Sequence, residues 1–564
     1  MKTIIVGGVA GGASCAARLR RLDESAEILI VERGPYVSYA NCGLPYHVGG
    51  VIEKESSLLV ASPEMFRGFF AVEVRTGCEA IRISPDKKTV ELRDVATGAV
   101  TTEPYDKLVL SPGARSIRPP LPGIDLAGIF QLRTVPDARA IREWIEKGSE
   151  FLAGMYRYSG FQTVRPKTRA VVVGGGFIGV ETAENLIHRG FEVTLVEMAD
   201  QVLAPLDAEM ARVVEGYLER HGVKLALKDG VAAFEKGDGG ALRVRTQSGK
   251  VYPADVVILA LGVRPDTELA RSAGLAIGER GGIRVDDQMR TSDPNIFAVG
   301  DAVEVKDVVT GEASLVALAG PANRQGRIAA DVIAGRNSRF RGTQGTAIIG
   351  VFAAAAAWTG VNEKTLKRRG HSDYEKIYLY PNSHAGYYPG ARPIAIKVIF
   401  RKSDGRLLGA QGLGEDGVDK RISTIAMAIQ MGATVYDLEE AELCYAPQFG
   451  SAKDPVNFAG MVAAGVLRND MPVSHWDRVD GALLLDVRGA PELAVESVPG
   501  AINIPLPQLR ARLGELPRDR EILTICRSGG RAYFAARILQ QNGFKARVLS
   551  GGMLSRTYFQ LLES

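Results

Sequence analysis

Cysteine is scarce: the 564 residues hold five, at positions 15, 42, 78, 444 and 526. An odd and scattered set excludes the disulfide framework that staples small secreted domains. Without a CxxC pair or a close Cys/His cluster to supply several ligands, no bound metal is expected. Charge of one sign is lacking too, with 69 basic against 65 acidic residues and a net charge of +4. That is far from the concentrated basic stripe with which nucleic-acid binders displace counterions, so no nucleic-acid partner is expected. No uncharged apolar run is long enough to span a bilayer. The opening "MKTIIVGG" leads into an apolar strand without the small-residue cleavage site of a signal peptide. No membrane partner and a cytoplasmic location are therefore expected. The chain is also too long for one core, and roughly 150 residues per domain suggests about four.

Glycine is plentiful, with 64 residues, and two clusters of it are chemically specific. "KTIIVGGVAGGASCAARLRRL" reads as strand, glycine turn and helix, followed by a strand "AEILIVERG" that ends in Glu32. Such a turn brings backbone N–H groups at a helix N-terminus up to a pyrophosphate, while the strand-end carboxylate accepts hydrogen bonds from a ribose. Gly7 and Gly12 fit the GxGxxG spacing, but Val9 occupies the middle position. The second copy, "RAVVVGGGFIGVETAENLIHRGFEVTLVEMAD", places Gly174, Gly176 and Gly179 at the full spacing and closes on Glu197. One such turn alone could be tight βα packing. Two, each with strand, helix, strand and terminal acid, imply two dinucleotides. Glu197 would repel a 2′-phosphate and the following "MAD" offers no arginine, which favours NADH over NADPH.

Further on, "TSDPNIFAVGDAVE" supplies a Thr, an apolar strand and Gly-Asp at Thr291, Phe297, Gly300 and Asp301. With the two turns, this resembles the two-dinucleotide-binding flavoprotein disulfide reductases. The resemblance implies FAD at the first turn, with Asp301 on the flavin ribitol, and the nicotinamide cofactor at the second.

Many enzymes of that family carry a CxxxxC redox pair, but five residues after Cys42 stands His47. Any redox chemistry here runs through one sulfur. A lone cysteine is more often a small buried hydrophobe than a catalyst. Gly43 and Pro45 suggest a turn opening a helix, which would favour the thiolate. "SYANCGLPY" resembles the active-site segment of the coenzyme A disulfide reductases, the single-cysteine branch. "NSHAGYYPG" and "LCYAPQFGSAKDP" carry Tyr387 and Tyr445 at the positions of two tyrosines that this branch contributes from the partner subunit of a homodimer. A phenol is a sensible donor to a departing CoA thiolate; interface packing is the plainer reading of both. The resemblance also implies that Arg18, Arg21, Ser38 and Asn41 line the CoA site, and "EDGVDKRIS" adds Lys420 and Arg421 as further, weaker candidate cations. From spacing alone, Arg18, Arg20 and Arg21 equally suit a solvated basic helix end. An NADH peroxidase or oxidase is the rival within the fold, its lone cysteine cycling through a sulfenic acid. Those relatives have a histidine in the first glycine loop, where this chain has Ala10.

The last 90 or so residues begin a fresh strand, loop, strand, Cys-loop, helix, strand pattern, a small α/β domain of its own. In "CRSGGR", Cys526 ends an apolar strand, and residues 527–531 can curl their N–H groups around its sulfur. "LLLDVR", "PGAINIP", the C-x-x-G-x-R loop ending in Arg531, and "LSGGM" resemble rhodanese sulfurtransferases, although Ser497 and Val498 replace the family's His-Ile.

The fold expected is α/β: two nested Rossmann-like dinucleotide-binding domains, an α+β dimerisation domain and a C-terminal α/β rhodanese domain. The boundaries expected are 1–111 and 252–325 for FAD, 112–251 for NAD(P)H, 326–455 for dimerisation, 456–475 as linker and 476–564 for the rhodanese module. The function expected is FAD-dependent NAD(P)H reduction of CoA persulfide, CoA disulfide or polysulfide, with sulfur transfer at Cys526. A persulfide-responsive redox sensor is the rival outside enzymology. The stretch 147–168 fits none of these domains.

Overall fold

The computed structural model describes residues 1–159, 168–237, 241–479 and 481–560. It has the α/β architecture expected, and the chain divides into two compact units, Met1–Val202 with Glu219–Gly345, and Leu203–Leu218 with Thr346–Ser564. Of the unassigned stretch 147–168, the helix Val135–Ser159 takes up the first part, and 160–167 lie outside the described residues.

The first unit holds two parallel five-stranded sheets. In one, the strand Lys2–Val6 pairs with Glu27–Glu32 on one side and Lys107–Leu110 on the other, with Glu73–Thr76 and Ile296–Ala298 at the edges. In the other, Arg169–Val173 lies between Glu192–Val196 and Val256–Leu259, with Lys224–Ala226 and Ile129–Gln131 outermost. The runs "TIIV", "ILIV" and "VVIL" are apolar without alternation because both faces of a parallel sheet are covered. In each sheet the first strand has neighbours leading both ways, which opens a crevice at the carboxyl ends of the strands where ligands bind.

The second unit contains an antiparallel five-stranded sheet in the order 347–351, 354–360, 407–414, 394–401, 374–379. The strand Leu407–Gly414 is buried at every position, and the helices Val418–Gln430 and Pro455–Leu467 belong to this layer. The C-terminal part is a separate parallel sheet ordered 473–474, 546–549, 522–525, 483–486, 502–503, with its own core around Leu485, Ile522 and Val548.

Residues 203–218 fall within the stretch expected to bind NAD(P)H, 112–251, but pack in the second unit. Buried ion pairs account for this. The ammonium of Lys397, which is 0% exposed, lies 2.8 Å from Asp207 Oδ2 and 3.1 Å from Glu363 Oε2 and also pairs with Glu209. Lys376 Nζ adds a bond of 2.8 Å to Glu363, and Gln411 Nε2 donates to Asp207 at 2.7 Å. Asp207, Glu209 and Glu363 converge closely enough to suit a cation, and the lysine ammonium groups meet that charge.

Candidate functional site: a lone cysteine, a tyrosine pair and a cysteine loop

The two glycine turns are built alike. Gly7 has φ +95°, and a Cβ there would stand 2.0 Å from the Ser111 carbonyl oxygen; one on Gly12 would stand 1.9 Å from the carbonyl oxygen of Gly7. Gly174 has φ +110°, and a Cβ there would stand 2.2 Å from the Ala260 carbonyl oxygen, while one on Gly179 would meet the Gly174 carbonyl oxygen at 1.8 Å. Only glycine satisfies both demands, a left-handed turn and a helix packed directly on its strand. Gly176 differs, since a Cβ there meets nothing within 4 Å. Its open space is of the kind a ligand's pyrophosphate fills.

Glu32 accepts from Gly8 N at 2.9 Å and Gly34 N at 2.8 Å; Glu197 accepts from Gly175 N at 2.6 Å and Ala199 N at 2.8 Å. Each carboxylate therefore ties its glycine turn to the next strand, and its remaining lone pairs stay open to ribose hydroxyls. The helices Ala10–Leu22 and Phe177–His188 start without a side-chain cap and without an acidic residue in the first turn. Their leading N–H groups are thus left for an anion. These residues fit FAD at the first turn and a nicotinamide dinucleotide at the second.

Cys42 sits in the short turn Asn41–Gly43, which runs without a break into the helix Leu44–Gly49 with Pro45 in its first turn. The turn and helix match the sequence reading, but the expected electrostatic consequence does not. Burial pushes the Cys42 thiol up, the charges of Glu181 and Asp301 push it further, and only Arg133 opposes them. A helix of six residues is a weak dipole, outweighed by two carboxylates and desolvation. None of the five cysteines is in a disulfide; Cys42 keeps an exposed face to solvent, while the protein packed around it is dense enough to desolvate its sulfur.

Asp301 opens a turn at the end of the strand Ile296–Ala298, where burial raises its carboxyl and Arg133 Nη2 lies 3.4 Å away. Arg133 is fixed by a bond from Nε to Ala114 O at 3.1 Å, and its own carbonyl receives Asn41 Nδ2 at 3.5 Å. Ser38 holds φ +50°, a left-handed conformation costing roughly 1–3 kcal/mol in a non-glycine residue. It is fixed by Ser38 N to Gly8 O at 2.8 Å and Val60 N to Ser38 O at 2.8 Å.

The proposed cations fare differently. Arg18 Nε pairs with Asp331 Oδ1 at 2.8 Å, while Arg21 is exposed. Arg20 is buried, its guanidinium spent on the carbonyls of Phe70, Asp23, Glu24, Ala26 and Ala71. Lys420 Nζ donates to Phe449 O at 2.6 Å. Arg421 departs from the expectation of a surface phosphate ligand. It is 1% exposed and donates to Asp454 Oδ2 at 2.8 Å, Ser383 O at 2.7 Å and Gly417 O at 3.2 Å. A guanidinium already neutralised and sealed in the core has no face for a phosphate. Instead it clamps together the segments that carry the two tyrosines.

Tyr387 and Tyr445 meet, with their hydroxyls 2.9 Å apart. Both are exposed, Tyr387 by 75%, so they point their phenols outward from the second unit. The bond to Tyr445 holds the Tyr387 hydroxyl above the usual phenol range. Ala385 N donates to Gly450 O at 2.9 Å, so the two loops are joined by backbone as well.

Cys526 ends the strand Ile522–Ile525, is 1% exposed and accepts Gly529 N at 3.2 Å. Gly529 has φ +106°, the bend that turns its N–H inward before the helix Gly530–Gln541. Arg531 is gripped by Glu492 through two bonds, of 2.6 and 2.7 Å. That pairing depresses the Glu492 carboxyl to about 2.

Sequence reasoning missed Arg133, Tyr46, Glu181 and Glu492. Tyr46 lies four residues after Cys42 and Glu181 two after Gly179, signals visible only once both segments are read as helices. Arg133 and Glu492 gave no local signal.

The model of the family described as pyridine nucleotide-disulphide oxidoreductase matches residues 1–326, its dimerisation domain matches 346–454, and a rhodanese-like domain matches 472–555. A coenzyme A disulfide reductase of Staphylococcus haemolyticus is 33% identical over 463 residues, covering 82% of this chain and 99% of its own. The structure of reduced Bacillus anthracis CoADR-RHD is 47% identical with a TM-score of 0.94, over 99% of this chain and 98% of that one. That of an NAD-dependent persulfide reductase from A. fulgidus is 38% identical with a TM-score of 0.89, over 98% and 100%. With more than half its length matched, and with paired glycine turns and a lone cysteine at a helix start, the chain belongs to the pyridine nucleotide-disulphide oxidoreductase family.

Proposed function

We propose that this protein is an FAD-dependent NADH reductase of CoA persulfide, CoA disulfide or polysulfide, working through one redox cysteine and joined to a sulfur-transferring rhodanese module. The observation that carries the reading is Cys42: an exposed, unpaired thiol at the opening of a helix, beside the Asp301 and Arg133 of the flavin-type fold. FAD held by the first glycine turn and Asp301 supplies two-electron transfer from NADH to sulfur. The chain's own residues supply the rest. Cys42 attacks the substrate S–S bond as a thiolate, forming a mixed disulfide and expelling a thiolate or hydrosulfide. Arg133 offsets the charge of the thiolate. The dimerisation-domain match supports a homodimer in which Tyr387 and Tyr445 of the partner subunit protonate the group that leaves. Arg18, Arg21, Ser38 and Asn41 remain the proposed CoA-binding set, and Glu197 favours NADH.

The test is anaerobic NADH turnover with CoA disulfide, CoA persulfide, polysulfide and peroxide, in wild type, Cys42→Ser and Cys526→Ser. Cys42→Ser is expected to abolish turnover with every sulfur substrate. Full activity in that variant, or peroxide as the preferred acceptor, overturns the reading.

A further inference from the structure

We infer that the dimerisation domain holds the Cys526 loop in shape, with Ser550 as the positioning residue that joins the two. The inference rests on Cys526 being the sulfur-transferring cysteine and adds what fixes its loop. The strand Tyr374–Leu379 lies at the edge of the antiparallel sheet, paired with Ile394–Arg401. An edge strand leaves N–H groups without a ladder partner, and a buried one must find its acceptor elsewhere. Tyr378 is buried, and its N–H donates to Ser550 Oγ at 3.0 Å. Ser550, itself buried, follows the strand Ala546–Leu549 of the C-terminal sheet. Its N–H donates to Ser474 O at 2.9 Å, and its carbonyl receives Ser555 Oγ at 2.8 Å.

Ser550 opens a turn of two glycines, each facing a different neighbour. Gly551 has φ +74°, and a Cβ there would stand 2.9 Å from Tyr378 Cβ; Gly552 has φ +58°, and a Cβ there would stand 2.2 Å from the Cys526 carbonyl oxygen. Left-handed glycines have no side chains with which to fix a turn, so its shape is set by what grips it. Ser550 holds it to Tyr378, and Trp476 Nε1 donates to Gly552 O at 2.8 Å. The turn starts the helix Gly552–Gln560, whose leading N–H groups have no partners within the helix. Met553 N donates to Cys526 O at 2.9 Å and Leu554 N to Arg527 O at 3.0 Å. In a trans peptide the N–H points opposite the C=O, so pinning these two carbonyls turns the N–H groups of Arg527 and Ser528 away from that helix. Gly529 N then reaches Cys526 Sγ at 3.2 Å. A displacement of the Ser550 turn thus passes to the loop through two backbone bonds.

The joint does not depend on Ser550 alone. His475 Nε2 lies 3.0 Å from Glu375 Oε1, Lys376 Nζ lies 3.6 Å from Asp477 Oδ2, and the Phe559 ring packs edge-on to Tyr378 at 5.9 Å. Losing the Ser550 hydroxyl therefore leaves the module docked and releases the glycine turn.

The test uses the full-length FAD-loaded enzyme, prereduced and freed of reductant, as wild type, Ser550→Ala, Tyr378→Phe and Cys526→Ser, with thiosulfate as the probe. Thiosulfate gives its outer sulfur to the Cys526 thiolate: its S–S bond breaks, a new S–S bond forms on Cys526, and sulfite leaves with the electron pair of the broken bond. A single turnover without acceptor yields the rate constant of sulfite release and its amplitude, which counts the competent chains. Ser550→Ala should release sulfite about tenfold more slowly with full amplitude, the scale of one buried hydrogen bond. Tyr378→Phe keeps the backbone donor and removes the hydroxyl's 2.8 Å bond to Glu209, so it should lower the melting temperature and keep the wild-type rate constant. A wild-type rate constant in Ser550→Ala overturns the inference. So does a reduced amplitude at the wild-type rate constant, since the substitution would then only unfold a fraction of the chains. Equal slowing in Tyr378→Phe overturns it as well, because the loss would follow stability. NADH turnover with CoA disulfide should stay within twofold of wild type in Ser550→Ala, and a fall there that matches the slowing counts against the inference in the same way. Sulfite release persisting in Cys526→Ser would instead sink the reading of Cys526 itself, so the two failures are distinguishable.

Discussion

Gly176 and Gly179 stand three residues apart in one motif and serve different purposes. A methyl group on Gly179 collides with the carbonyl of Gly174 at 1.8 Å, whereas one on Gly176 meets no protein atom within 4 Å. Gly179→Ala is therefore expected to lower the melting temperature. Gly176→Ala should keep the wild-type melting temperature and flavin content while raising KM for NADH, because the methyl occupies the space left for the pyrophosphate. Differential scanning calorimetry beside NADH titration separates the two; a stability loss in Gly176→Ala would mean the space is structural. In the C-terminal module, Glu492 orients Arg531 through a two-bond pair in which both side chains are about a third exposed, 34% and 39%. Its carboxyl is depressed to about 2, below the usual value near 4.3. The pair's contribution is therefore complete above about pH 5 and is lost as pH falls from about 4.3 towards 2. Glu492→Gln should lower sulfane-sulfur transfer to cyanide about tenfold at pH 7, the low end for a charge-assisted bond that water screens. A wild-type rate would remove Glu492 from the positioning of the loop.

At the scale of elements, the segment 203–218 stands out because it lies within the stretch of sequence expected to bind NAD(P)H yet packs in the second unit, where Asp207 and Glu209 meet Lys397. Desolvation disfavours the charges of Asp207, Glu363 and Lys397, and their mutual attraction prevails: the Asp207 and Glu363 carboxyls are held down and the Lys397 ammonium is held up. For carboxylates held down in the folded state, the stability they confer is full above about pH 4 and is lost as pH falls below that. Lys397→Met strands Asp207 and Glu209 in the core, Glu363 keeping its bond to Lys376, and should cost about 3–5 kcal/mol at pH 7. The acid limb should also invert, because protonating stranded carboxylates relieves the penalty; the variant should gain stability between pH 7 and 5 where wild type is flat. Urea melts across that range decide the matter, and parallel pH profiles would mean the cluster does not carry the segment. Periodicity could not have exposed this arrangement. "LDAEMARVVEGYLER" reads as an ordinary amphipathic helix, and the partner lysine lies in a strand of another domain, where the apolar run "IAIKVIF" around it gives no sign of three carboxylates close by.

Over the whole molecule, what was legible in the sequence is what short-range spacing dictates: the two glycine turns, the acids closing the next strands, the helix opening at Cys42 and the loop around Cys526. Positions whose role depends on distant partners were not legible. Arg421 looked like a surface cation and is a buried clamp; Arg133 and Glu181 act on the Cys42 thiol by their charge from remote segments, Arg133 without any local signal and Glu181 with one visible only once its segment is read as a helix. The fusion of two sulfur sites in one chain raises the last question, whether Cys526 feeds Cys42 or works independently. Cys526 is nearly sealed, 1% exposed, and is held by the Gly529 N–H, a setting that stabilises a bound sulfane sulfur while limiting which donors reach it. CoA disulfide carries no sulfane sulfur, so its reduction has no use for that loop. Cys526→Ser should therefore leave NADH oxidation by CoA disulfide unchanged and reduce it with polysulfide or protein-bound persulfide donors, which must first hand over a sulfur. If Cys526→Ser turns over every persulfide donor at the wild-type rate, the modules share a chain without sharing a reaction, and sulfur reaches Cys42 directly.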